Sequence, residues 1–128
     1  MSVELSEEER TRLAELVMAI FEEWHLDADQ QLSLLGMPEG TKTRELTRWR
    51  RGTPFPQEAA LLDRAKHVLG IQESLHVIFP LNPQMPLFWL NNRNRYFKMA
   101  PLAVMLEEGL AGMNRVWRHL DCTVNWTE

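Results

Sequence analysis

Apolar residues in this chain recur at intervals of three and four, and nowhere do they alternate at intervals of two over a useful length. That spacing selects helices, because side chains three and four apart share one face of a helix whereas a half-buried strand needs every second one. The clearest case is Leu13, Leu16, Val17, Ile20, Phe21 and Trp24, one apolar stripe with glutamates between its members. Such a stripe is buried against the rest of the fold. Ser6, followed three residues later by Glu9, has the signature of a capping box at the start of this helix.

The same reasoning carries along the chain. Asp27 with Gln30 repeats the cap signature, and Leu32, Leu34 and Leu35 lead to Gly36, so a second helix is expected over about residues 28–35. Gly36-Met37-Pro38-Glu39-Gly40 is a turn by composition, and a third helix is expected from near Thr41 to about residue 51. Gly52-Thr53-Pro54-Phe55-Pro56 closes it. Residues 57–69 then read as a fourth helix ended by Gly70, and 71–79 as a fifth, before Pro80-Leu81-Asn82-Pro83 imposes a break. Met85 to Leu90 is short and aromatic, and Asn91-Asn92-Arg93-Asn94-Arg95 is a polar, turn-prone loop. Pro101 suits a first helical turn, with Gly109 at the end of that helix and a last helix carrying Met113, Val116, Trp117 and Leu120. The expectation is an all-α protein of about eight short helices: an amino-terminal module over residues 1–80 and a small helical module over 81–128.

Charge is unevenly spread. Residues 1–29 hold nine acidic and two basic side chains, a balance of -7, which leaves +3 for the remainder of a chain whose formal net charge is -4. A uniformly acidic chain would repel phosphate, but here the acid is confined to one end. No run of about 18 apolar residues occurs, and the first residues are acidic rather than basic and then apolar, so neither a membrane span nor a signal peptide is expected, and the cytoplasm is the expected location. The single cysteine, Cys122, has no internal disulfide partner and reads as a buried or inert thiol.

The two short helices at about 28–35 and 41–51, joined by a glycine-containing turn, have the layout of a helix-turn-helix. Taking about 100° per residue from Arg44, the side chains of Thr47, Arg48 and Arg51 lie within roughly 60° of it, whereas Leu46 and Trp49 point to about 200° and 140°. Lys42, Arg44, Thr47, Arg48 and Arg51 are therefore the candidate DNA-binding set, with Arg50 at the margin. The competing reading is an ordinary solvated helix face.

The segment from Trp89 to Asp121 combines Trp89-Leu90 and an asparagine-rich stretch, Tyr96-Phe97, Pro101-Leu102, Glu108-Gly109-Leu110, and Val116 through Leu120-Asp121. It resembles the toxin-binding domain of Xre/MbcA/ParS antitoxins. Upstream, Trp24, Leu26, Gln30, Leu34-Leu35-Gly36, the Trp49-Arg50-Arg51-Gly52 stretch and the Arg64, Leu69-Gly70-Ile71, Leu75, Phe79 run resemble the helix-turn-helix portion of the same family. The chain departs from that pattern before Pro101, where the family commonly has a glycine-containing turn and this sequence runs Asn94 to Ala100 without one. The resemblance implies an antitoxin of a type II toxin-antitoxin system that binds and neutralises a cognate toxin, often of the NAD-consuming RES type, and that represses its own promoter with it.

A toxin-binding surface needs a few large anchors among polar groups. Arg93, Arg95, Tyr96, Arg115, Arg118 and Trp126 are the candidates, each of the arginines having a plain solvated role as its alternative and Trp126 packing on the protein's own core as its alternative. The histidines His25, His67, His76 and His119 are scattered without metal-ligand spacing, no phosphate loop or nucleophile elbow occurs, and neither catalysis, a metal nor a cofactor is expected. Three readings stand: an antitoxin that also binds operator DNA, as a homodimer on paired half-sites; a helix-turn-helix regulator without a toxin; and a helical interaction protein whose basic helix never meets DNA.

Overall fold

The computed structural model describes residues 4–127, and side chains as far as Thr123. The described residues form seven helices: α1 (Glu7–Glu23), α2 (Ala28–Leu34), α3 (Arg44–Arg50), α4 (Ala59–Ile78), α5 (Met85–Asn91), α6 (Pro101–Glu108) and α7 (Leu110–Thr127). Among them the only β feature is an isolated antiparallel bridge between Asn94 and Met99. The architecture is all-α, with one helix fewer than the eight expected.

The missing helix is accounted for by Gly70. Residues 59–78 form one continuous helix, and Gly70 lies inside it with ordinary helical backbone instead of ending it. A glycine in a helix costs about 1 kcal/mol relative to alanine, and here it is needed for contact: a Cβ at position 70 would overlap the indole of Trp117.

The chain divides into two compact units, the first ending at Lys66 and the second beginning at His67. The division falls inside α4, and Pro80–Pro83 lies between α4 and α5 in the second unit.

In the first unit, α1 starts at a complete capping box: Ser6 Oγ accepts from the Glu9 backbone N–H at 3.1 Å, and the Glu9 carboxylate accepts from the Ser6 N–H at 3.0 Å. These hydrogen bonds hold the Glu9 carboxyl below the usual glutamate range. Asp27 and Gln30 form the same reciprocal pair at the start of α2. The stripe on α1 is buried through Leu13, Val17, Ile20, Phe21 and Trp24, while Leu16 stays exposed. α3 lies against α1 through Leu46 and Trp49, and Trp49 meets Phe55 edge to face at 5.1 Å. The loop carrying Phe55 is tied to α1, because Arg10 Nη1 donates to the Phe55 carbonyl at 2.8 Å.

In the second unit α6 packs on α7, and α5 on α6. Gly109, at φ 65, makes the sharp stop between α6 and α7. Gly112 then lets the two helices close up, since a Cβ there would overlap the Val104 carbonyl. Leu90, Phe97, Met105, Met113, Val116 and Leu120 fill the interior. His67 is buried edge-on against Trp117 and within 3.3 Å of the Asn114 amide.

Candidate functional site

Two exposed cationic faces stand out, one in each unit. The first surrounds α3. That helix begins at Arg44, three residues later than expected, because the Thr41 hydroxyl donates to the Pro38 carbonyl at 2.7 Å and closes the preceding turn. Residues 35–43 therefore form a longer connection than the three- to four-residue turn of a compact helix-turn-helix. Lys42 lies ahead of the helix and Arg51 caps its end, while Arg44 and Arg48 are on it. All four are exposed and Thr47 is half-buried, opposite Leu46 and Trp49 at 1% and 4% exposure. Arg48 pairs with Glu45 at 3.2 Å, and Arg50 donates to the Thr47 hydroxyl at 3.3 Å. The paired Glu45 subtracts one charge from a face that otherwise presents guanidinium groups to water.

The second face is built around His119 on α7. Its imidazole stacks on Tyr96 at 4.6 Å with the planes 22° apart, and lies nearly parallel to Trp89 at 6.5 Å. Phe97 meets the same imidazole edge-on at 5.2 Å. Burial among these rings lowers the His119 pKa below its ordinary value, because the charged form loses hydration. The sequence alone did not mark His119 as part of a site. The available signal was its position four residues after Arg115, which puts both on one face of α7.

The loop that brings the aromatic rings to His119 is held by Asn94. Its side-chain oxygen accepts from the backbone N–H groups of Tyr96 at 2.8 Å and Phe97 at 3.4 Å, and its backbone bonds to Lys98 and Met99. This is the asparagine turn that the composition predicts. In a loop without glycine the left-handed residue is Lys98, at φ 65.

Of the residues expected to contact a toxin, Arg93, Arg95, Tyr96, Arg115 and Arg118 are all exposed. Tyr96 belongs to the aromatic cluster, and Arg115 reaches its edge, with its guanidinium 5.5 Å from the Phe97 ring. Arg115 is committed elsewhere, its Nη1 donating to both oxygens of the Glu108 carboxylate at 2.7 and 2.6 Å, which raises its pKa further. The side chain of Trp126 lies outside the described residues. Cys122 is exposed on α7, so of the expected alternatives, a buried or an inert thiol, it is not the buried one. Among the described residues no group of three or more His, Cys, Asp or Glu side chains is placed to hold a metal ion, and no helix is long and apolar enough to cross a membrane.

The two units differ in their large exposed apolar side chains. Val77, Leu81, Phe88 and Tyr96 belong to the second unit, at 54%, 94%, 59% and 66% exposure, whereas the first unit has Leu16 at 41% and none around α3.

No family model matches the chain. Over 109 residues it is 30% identical to an uncharacterized protein, y4oB, of Sinorhizobium fredii (strain NBRC 101917 / NGR234), a stretch that covers 84% of this chain and 80% of that one.

Proposed function

The chain belongs to the family of that Sinorhizobium protein, and within it we propose that this member is an antitoxin: a binding protein that neutralises a cognate toxin and, as a homodimer, represses its own operon through DNA. The observation that carries the reading is the exposed ring of Tyr96 in the second unit, on the loop that also carries the exposed Arg93 and Arg95. Exposed tyrosine and arginine on a rigid frame are the residues in which protein-binding energy concentrates. Support also comes from the resemblance of Trp89 to Asp121 to the toxin-binding domain of Xre/MbcA/ParS antitoxins. The toxin such a domain faces is often of the RES, NAD-consuming kind.

The DNA-binding part is supported by the α3 face, where Arg44 and Arg51 are exposed and Arg48, paired with Glu45, is exposed beside them, so that guanidinium groups can approach phosphates or guanine edges while Leu46 and Trp49 are buried behind. The acidic first helix packs against α3 and limits nonspecific affinity.

The test is co-expression with the neighbouring reading frame. The antitoxin reading expects that frame to arrest growth alone, growth to return when this chain is present, and the two products to purify together. A product that is harmless alone and does not bind removes the antitoxin. An electrophoretic shift on the chain's own promoter in that case would leave a helix-turn-helix regulator.

A further inference from the structure

Between Glu73 and Glu107 the sequence contains no Asp or Glu, and within that stretch lie Arg93, Arg95 and Lys98. All three side chains are exposed, and none pairs with a carboxylate among the described residues. The cation on α7 next to them, Arg115, is neutralised by Glu108. Among the described residues the charge of the loop is therefore uncompensated, while its backbone is fixed by Asn94 and by the bridge to Met99. Tyr96 has one ring face on His119 and is still 66% exposed, so it presents a preformed aromatic surface in the middle of the cations.

We propose that this loop docks an acidic segment of the toxin polypeptide, with carboxylates against Arg93, Arg95 and Lys98 and an apolar recess over Tyr96. The proposal rests on the antitoxin reading and adds to it the chemistry of the partner's surface. Bidentate arginine-carboxylate pairing is directional as well as strong, and a loop already ordered loses little entropy when it binds. A polypeptide is the occupant that the antitoxin reading supplies, and an exposed tyrosine flanked by arginines is the pattern in which protein-binding energy concentrates.

The experiment measures binding of the neighbouring frame's purified product to the full chain, to R93E/R95E and to R93K/R95K, at low and high salt. Lys98 is left in place because its backbone is left-handed. Both arginines are exposed, so the circular dichroism spectrum and melting temperature should not move. The charge reversal should weaken binding about a hundredfold and abolish its salt dependence, and the lysine variant should recover most of it. Equal binding by R93E/R95E with an unchanged salt slope overturns the acidic-segment proposal and leaves the antitoxin reading standing. Failure of the unmodified chain to bind removes both. Two other occupants have their own signatures, and each overturns the proposal. A salt-sensitive self-association lost in R93E/R95E assigns the loop to the acidic α1 end of a second copy, and tight binding of a labelled single-stranded oligonucleotide, lost in the same variant, assigns it to nucleic acid.

Discussion

The α3 face and the His119 face both present arginine to water, yet they differ in what surrounds it. Around α3 the cations stand on a helix with its apolar residues turned inward, and the exposed surface is charge alone. Around His119 the cations flank a stack of rings on a loop tied down by one asparagine. A phosphate backbone asks mainly for positive charge in register, so a helix face suffices. A folded protein asks for desolvated anchors, which is where Tyr96 and Phe88 differ from anything near α3. The same residue type thus carries different meanings according to its apolar neighbours.

The largest expected effect lies beneath the second face. Gly70→Val should destabilise the protein by about 3 kcal/mol, since the added side chain must displace the Trp117 ring. Thermal and denaturant melting check this, and a fully stable variant would mean that α4 and α7 are not in close contact there. Next is Tyr96→Ala, expected to weaken toxin binding by about 2 kcal/mol, roughly thirtyfold, with operator affinity unchanged. Titration calorimetry with the toxin and a gel shift with the promoter give the two readings. The reciprocal variant, R44A/R48A, should reduce operator affinity about tenfold or more and lower the slope of log affinity against log salt by about two, while toxin binding stays as it was. If either variant damages both activities while remaining folded, the two faces are not separate.

Two smaller effects sharpen the second face further. Because burial holds the His119 pKa below that of an unfolded histidine, about 6.5, the unfolded chain takes up the proton first as pH falls. This group's contribution to stability is therefore flat above about pH 6.5 and declines below it, until the folded-state imidazole is protonated too. His119→Phe should remove that part of the pH dependence, as read from melting temperatures across the range. Lys98→Gly should stabilise the fold by about 0.5 to 1 kcal/mol, the relief of a left-handed backbone partly offset by the greater entropy of glycine in the unfolded chain.

The local grammar of the fold was readable in the sequence. Ser6 with Glu9, Asp27 with Gln30, and Gly109 mark helix ends through bonds within a few residues, and the structure has those ends. Gly70 was misread because a glycine after an apolar run looks like a stop. What accounts for a glycine inside the helix is Trp117, distant in sequence and against it in space. Thr41 was misread for a related reason, its hydroxyl being engaged by Pro38 in the turn when it could as well have capped a helix. The inward position of Leu46 and Trp49 followed from helical spacing alone. The His119 cluster did not, since it joins Trp89, Tyr96, Phe97 and His119 from two helices and a loop, and no periodicity connects them.

The most direct test of two separate faces is parallel affinity purification, from the native host, of the unmodified chain, Y96A and R44A/R48A, with the neighbouring frame's product followed by mass spectrometry. Separate faces predict that this product stays with the unmodified chain and with R44A/R48A and is depleted with Y96A. Its retention by Y96A together with its loss from R44A/R48A would contradict the assignment of the two surfaces.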